Sequence, residues 1–296
     1  MTGVAGDSKK HHQEMLFLSR SDARRMEAAE EYGALCYAQA VKPDRPEWGI
    51  EWQEFLGGHL VFVARRSLVG RAHGLGFAGE VKPEDIEHVE DFYFRHEADA
   101  QVDVCPYAEP SLFESLNQRG FQVAEFNQTL ARWISPDESF AAAHEGFQIR
   151  RVTAEEGPEW SNLLARVFFA EQAPNFGRFF LPWIRHENAM CVGAFAGGKM
   201  VGGAGGLIIP RHRTAGLFGA ATLPDFRGRG VQSALLKERL RLAREASCDL
   251  AVTLTMPGTS SQRNAERAGF RTAYTKVVVI KKHPKSSEAV HVHYSK

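Results

Sequence analysis

The chain has 296 residues, 44% of them hydrophobic, with 36 basic and 36 acidic side chains and so no formal net charge. That length allows one large or two average domains, and the even balance gives no overall attraction to nucleic acid or to an anionic membrane surface. The cysteines Cys36, Cys105, Cys191 and Cys248 form no Cys-x-x-Cys pair, which argues against a zinc or disulfide framework. No apolar run is long enough to span a bilayer.

Residues 1–14 are polar and lack the apolar core of a leader peptide, so they read as a flexible tail of a cytoplasmic protein, as do 284–296. His11-His12 and the pair His291 and His293 fall in these tails, and no metal site is expected from them. Residues 15–134 read as a first domain, 135–145 as a linker, and 146–283 as a second domain. In the first, Val102 and Val104 mark a short strand, Pro110 a turn, and a helix-length segment then leads to Gly120-Phe121. At an offset of 149, residues 249–270 align with residues 100–121 without a gap, and the same order recurs there in Ala251 and Thr253, a turn containing Pro257, and Gly269-Phe270. Such a repeat of element order suggests an internal duplication.

The second half reads as alternating strands and helices. Strands are expected over 147–152, 190–195, 200–209, 216–223 and 250–255, and one long or two short strands over 270–281. A hairpin turn at Gly197-Gly198-Lys199 joins the second and third. Helices are expected over 154–169, 176–187, 231–245 and 260–268, the last stopped by Gly269. Leu235, Leu236, Leu240, Leu242 and Ala243 form the buried stripe of the 231–245 helix. Strands joined by a crossover helix imply an α/β (α+β) fold with mixed sheets flanked by helices. Val201-Gly-Gly-Ala-Gly-Gly206 has the glycine content of a dinucleotide loop, but a strand and not a helix follows it, so it reads as a closely packed strand. Phe168, Phe169, Phe176, Phe179, Phe180 and Trp183 read as core of the helical segment after the linker.

The most informative segment is Thr222-Leu-Pro-Asp-Phe-Arg-Gly-Arg-Gly-Val-Gln-Ser233. Pro224 ends a strand, Gly228 and Gly230 allow backbone angles closed to other residues, and a helix begins at Val231. The first turn of a helix has unpaired N–H groups and a positive dipole end, and Arg227 and Arg229 add charge beside them. This arrangement suits a phosphate or pyrophosphate. The counterpart in the first half, 78–83, has no glycine pair, and its helix opens with Glu84-Asp85, followed by Glu87, Glu90 and Asp91. Those acids repel phosphate, so residues 15–134 are not expected to bind such a ligand.

Arg227-Gly-Arg-Gly230-Val-Gln232 resembles the acyl-CoA signature Q/R-x-x-G-x-G/A of the GNAT superfamily of N-acetyltransferases, with Gln232 at the position usually held by Gly or Ala. Residues 257–270 resemble the helix that follows in that superfamily, and the first half resembles a degenerate copy, as in tandem GNAT proteins. The resemblance implies two tandem GNAT folds and acetyl-CoA as acyl donor. The pantetheine would lie beside Ala221, Thr222 and Leu223, and the pyrophosphate would rest on Arg227, Gly228, Arg229, Gly230, Val231, Gln232 and Ser233. Asn264 would touch the cofactor from the last helix, and a main-chain N–H near Thr222 would polarise the thioester. It implies direct transfer in a ternary complex to an amine, a small molecule or a peptide, by a monomer or homodimer.

Two features of the superfamily are missing. The strand before the turn carries no glutamate, and Ala265 stands where a tyrosine often protonates the leaving thiolate. Glu171, His186, His212 or Tyr274, or water, are the groups left for proton transfer, and catalytic residues stay unassigned. The alternative is a non-catalytic acyl-CoA-binding or regulatory protein of the same fold.

Overall fold

The computed structural model of the protein describes residues 18–65, 67–140 and 146–285. The expected tail at 1–14, residues 286–296 of the tail expected at 284–296, and residues 141–145 of the expected linker lie outside the described residues.

The first half opens with α1 (Arg20–Val41), the hairpin β1 (Glu51–Phe55) and β2 (Gly58–Phe62), and the short β3 (Ala72–His73). It continues with α2 (Pro83–Phe94), β4 (Ala100–Val104), α3 (Pro110–Gln118) and β5 (Gln122–Trp133). The second half runs β6 (Gln148–Arg151), α4 (Gly157–Phe169), α5 (Ala173–Phe176), α6 (Leu181–Ile184), β7 (Val192–Ala196), β8 (Lys199–Ile209) and β9 (Thr214–Thr222). It closes with α7 (Val231–Glu245), β10 (Leu250–Thr255), α8 (Ser260–Arg267) and β11 (Arg271–Lys281).

The eleven strands of the described residues form one sheet, ordered β1-β2-β3-β4-β11-β5-β10-β9-β8-β7-β6. Separate sheets for the two halves were expected, and the pairing of the last strands explains the difference. β5, the last strand of the first half, runs antiparallel to β10 of the second, from Leu250 opposite Trp133 to Thr255 opposite Gln128. β11, the last strand of the chain, runs antiparallel to β4 of the first half, from Val277 opposite Val104 to Lys281 opposite Ala100. Each half thus completes the sheet of the other, and β5 and β11 pair at the centre.

Of the expected helix over 176–187, only Leu181–Ile184 forms a helix, after α5 ends at Phe176. Gly177 follows the last residue of α5, and glycine is unfavourable in a helix interior. Pro182 fits only a first helical turn, so a new helix starts at Leu181.

α1 is set by a capping box, in which Asp22 Oδ2 accepts from Ser19 N at 3.0 Å and Ser19 Oγ accepts from Asp22 N at 3.2 Å. It lies across one face of the sheet, over both halves. Ala29 meets β9 at Gly216, where a Cβ would lie 3.2 Å from Ala29 Cβ. The Trp183 indole N–H of α6 donates to Gly33 O at 3.1 Å. α7 covers the other face of the second half, and the predicted stripe Leu235, Leu236, Leu240, Leu242 and Ala243 is buried there.

The glycines of β8 mark close packing, as the sequence suggests. A Cβ on Gly203 would lie 2.7 Å from Trp160 Nε1, and that fully buried indole donates to Val192 O at 3.0 Å. A Cβ on Gly205 would lie 2.5 Å from the Phe218 ring.

Candidate functional site

β9 and β10 run parallel and pair from Thr214 opposite Leu250 to Leu217 opposite Thr253. Beyond that point they no longer pair, although β9 continues to Thr222 and β10 to Thr255. A bulge in β9 accompanies the separation. Gly203 faces Ala221 and Gly205 faces Phe218, so Gly219 and Ala220 together oppose Ala204. Gly219 adopts φ +53°, in the left-handed region open to glycine. An extra residue bends a strand and sharpens its twist, which carries β9 away from its parallel neighbour. Thr253 Oγ1 donates to Leu217 O at 3.0 Å and closes the apex of the resulting gap.

Unpaired polar groups lie at the ends of the two strands that border this gap. Leu223 N donates to Val201 O on the β8 side at 2.9 Å. By strand alternation the Thr222 N–H points the other way, into the gap. The hydroxyls of Thr222 and Thr255, at the ends of the two strands, are buried without a hydrogen-bond partner. Both lie on the α7 side of the sheet. Thr222 sits opposite Gly202, where a Cβ would meet Val231 of α7. Thr255 lies three residues beyond Val252, whose side chain is on the α1 side.

The glycine-arginine turn stands at the open end. Residues Pro224–Phe226 make one turn of 3₁₀ helix, and Gly228 and Gly230 take φ +74° and +82°. Gly230 is the N-cap of α7, with no side chain bonded to the helix end. The first main-chain bond of the helix runs from Ala234 N to Gly230 O at 3.0 Å, which leaves the N–H groups of Val231, Gln232 and Ser233 without helical partners. No acid occupies the first turn. Arg227, Gly228 and Arg229 are exposed. Arg227 Nε lies 3.4 Å from Thr222 O, and the Arg229 guanidinium stacks 5.3 Å from the Phe226 ring centre. Ala221 is buried, Leu223 half-buried, and Asn264 half-buried on α8.

The corresponding place in the first half is closed. β3 and β4 pair in parallel at Ala72 and Val102. Past this pair Glu109 N donates to Gly76 O at 2.8 Å. Arg20 of α1 then bridges the two chains, donating from Nη2 to Gly76 O at 3.0 Å and from Nε to Tyr107 O at 3.1 Å. The α2 end is acidic, and Asp85 Oδ2 already accepts from Lys82 N at 2.8 Å. A surface cavity of about 420 Å³ nearby is lined by Arg20, Ser21, Arg24, Gly57, Phe77 and Ala78. Its two arginines are already paired, Arg20 with Glu109 and Arg24 with Glu31.

The four side chains named for proton transfer are scattered. Glu171 is exposed after α4. His186 packs edge-on against Tyr32, and its Nδ1 accepts from Asn188 N at 3.1 Å. His212 is half-buried beside arginines, and burial, with Arg24 and Arg211, lowers its affinity for a proton. Tyr274 is buried, and its hydroxyl donates to Glu27 Oε1 at 2.6 Å. Ala265 is buried, with no phenol in the position of the expected acid.

Two features are not anticipated from the sequence. One is a buried charge cluster beneath α1, where Lys276 Nζ lies 3.3 Å from Glu27 Oε2, 3.3 Å from Asp103 Oδ2 and against Glu30, and His73 Nδ1 lies 2.9 Å from Asp103 Oδ2. Glu30, His73 and Asp103 bring ligand atoms within 4.8 Å of one another, as a metal site would, but the Lys276 ammonium already sits among these carboxylates. The sequence signal for it is a lysine at an inward position of β11, flanked at i−2 and i+2 by Tyr274 and Val278, both buried. The other is Arg239, buried within the apolar stripe of α7.

No helix among the described residues is long and apolar enough to cross a membrane. Residues 155–270 match the model of the acetyltransferase (GNAT) family. No curated protein is similar enough to count as a match. Among solved structures, a GCN5-related N-acetyltransferase from Kribbella flavida is similar over 89% of this chain and 96% of its own, at 17% identity and a TM-score of 0.64. A tandem GNAT protein from the clavulanic acid biosynthesis pathway is similar over 77% of this chain and 74% of its own, at 13% identity and a TM-score of 0.55. A Drosophila protein is similar over 91% of this chain and 98% of its own, at 15% identity and a TM-score of 0.53. The fold is therefore of the GNAT type, and the match to the acetyltransferase family model falls in its second half.

Proposed function

We propose that the protein transfers an acetyl group from acetyl-CoA to an amine, directly, in a ternary complex. The observation that carries this reading is the gap between β9 and β10, which opens beside the uncapped N-terminus of α7. The pyrophosphate rests on the N–H groups of Gly228–Ser233, with Arg227 and Arg229 adding charge. The pantetheine lies beside Ala221, Thr222 and Leu223, and the Thr222 N–H polarises the thioester carbonyl as an oxyanion donor. The unpartnered Thr222 and Thr255 hydroxyls support a polar ligand in the gap. Asn264 of α8 touches the cofactor from the last helix.

The amine attacks the thioester carbonyl, the carbon–sulfur bond breaks, and CoA leaves as the thiol. With no acid on β9 and Ala265 on α8, the proton lost by the amine passes through water to the departing sulfur, and positioning supplies much of the rate. The first half, residues 15–134, is a diverged copy of the second, residues 146–283. It completes the sheet and does not bind CoA, because Arg20 and Glu109 fill the equivalent gap. The acceptor is a small-molecule or peptide amine.

The missing acid and base favour a second reading, a non-catalytic acyl-CoA-binding protein. Titration with acetyl-CoA is expected to give one site per chain, and addition of an amine panel should release free CoA thiol. One tight site with no release on any amine leaves the second reading; two sites, or none, overturn the assignment of the gap.

A further inference from the structure

Arg239 is 3% exposed on the inner face of α7, between Leu235 and Leu240. Burial pushes its guanidinium down to about 10, from the ordinary arginine value. A buried arginine usually meets a carboxylate or phosphate. The hydrogen bonds of this one go to main-chain carbonyls. Nε donates to Leu235 O at 3.2 Å, and Nη1 to Gly205 O at 2.9 Å and Phe218 O at 3.4 Å.

Gly205 and Phe218 are the pair of residues at which the β8–β9 ladder resumes after the bulge at Gly219 and Ala220. A bulge disrupts the local ladder, and a buried carbonyl without a donor is costly. The planar guanidinium supplies both carbonyls from one side chain, which neither an ammonium nor an apolar residue can do with the same geometry. Phe218 is also the first residue of β9 beyond its last pair with β10. Arg239 therefore grips β9 at the point where it departs from its neighbour.

We infer that Arg239 is a positioning residue, which fixes the β9 bulge and so holds the gap between β9 and β10 open for acyl-CoA. It touches no substrate and acts through Gly205 and Phe218. This inference rests on the reading of the gap as the acyl-CoA site.

The test compares the full chain with Arg239→Met, Arg239→Lys and Gly219→Ala. The last change disturbs the same bulge with the arginine intact, since Gly219 has φ +53° and an added Cβ would lie 3.2 Å from Phe180. Three quantities are measured: thermal stability, hydrogen exchange of the unliganded protein, and acetyl-CoA affinity by calorimetry. In Arg239→Met, exchange is expected to rise about tenfold or more at residues 218–223 while β6 and β7 stay protected, with affinity falling by a similar factor. Gly219→Ala should show the same local pattern, and Arg239→Lys should recover part of the affinity.

A purely structural arginine would instead raise exchange uniformly with the loss of stability. That result, or wild-type affinity with wild-type protection in the variants, overturns the inference. Should Arg239→Met fail to fold, Arg239→Lys and Gly219→Ala decide by the same criteria. If the wild-type protein does not bind acetyl-CoA, the reading of the gap fails, whereas the exchange pattern still decides whether Arg239 holds the bulge.

Discussion

Replacing Lys276 with Met removes the ammonium that sits among a set of buried carboxylates while keeping a side chain of similar length. Lys276 is 1% exposed, and Glu27 and Asp103 are 2% exposed. Burial works against the charge on Lys276, yet Asp103, Glu27 and Glu30 outweigh it and hold the group well above the usual lysine value. Burial likewise opposes the charge on Asp103, but Lys276, Arg71 and His73 hold its carboxyl well below the usual range. Glu27 differs, because its burial outweighs Lys276 and raises it. Breaking a buried pair by removing one partner costs about 3–5 kcal/mol. At roughly 2–4 °C per kcal/mol, the melting temperature should fall by on the order of 10 °C. The loss should also depend on pH. Without Lys276, Glu27 moves further above its unfolded value. An acid raised in the folded state contributes stability at low pH, and that contribution disappears as pH rises through its folded value. The deficit of the variant is therefore expected to be smaller near pH 5 and larger near pH 8, in circular-dichroism melts run side by side with the wild type. Equal deficits at both pH values, or none near pH 8, would refute the electrostatic account of this cluster.

Gly230→Val places a β-branched residue at φ +82° on the N-cap of α7, a strain of about 1–2 kcal/mol for a left-handed non-glycine residue. The far-UV spectrum should be retained and acetyl-CoA affinity by calorimetry should fall at least about tenfold; unchanged affinity would remove the turn from the site. All four cysteines are free and buried, and burial pushes Cys36 and Cys248 up to about 11 and Cys105 and Cys191 up to about 12. Since the thiolate is the reactive form, a chromogenic disulfide reagent near pH 8 should find no fast-reacting thiol in the native protein and four after denaturation. A fast thiol in the native state would contradict their packing.

Most second-half elements were legible because they are set locally, the helix expected over 176–187 being the exception. The helix over 231–245 and the strand over 250–255 fall where periodicity puts them, since Gly230 opens the first and a short apolar run defines the second. The glycine-arginine turn was legible for the same reason, as Gly228 and Gly230 specify left-handed angles in the sequence itself. Strand pairing was not. β5 and β11 have similar lengths and equivalent places in their halves, so periodicity alone cannot say that each pairs with the neighbour of the other. Arg239 was missed because polar side chains within an apolar stripe read as helix surface until the carbonyls they meet are known.

The two halves put the same local problem to two different solutions. In each, a pair of parallel strands parts after a short stretch of pairing, at Ala72 and Val102 in one half and at Leu217 and Thr253 in the other. Parting strands expose main-chain groups that need partners. In the first half the chain supplies them itself, through Glu109 N and the Arg20 guanidinium on Gly76 O and Tyr107 O. In the second, Thr253 satisfies only the apex, and buried hydroxyls at Thr222 and Thr255 stay unpaired. α1 carries Arg20 at one end and rests Ala29 on β9 farther along, so the helix that closes the first gap also packs beside the second. An open gap is costly to leave empty, and one ligand that brings amides and a pyrophosphate offsets that cost at both the strand edge and the helix end. This asymmetry, more than the glycine turn alone, is the physical reason to expect one acyl-CoA per chain.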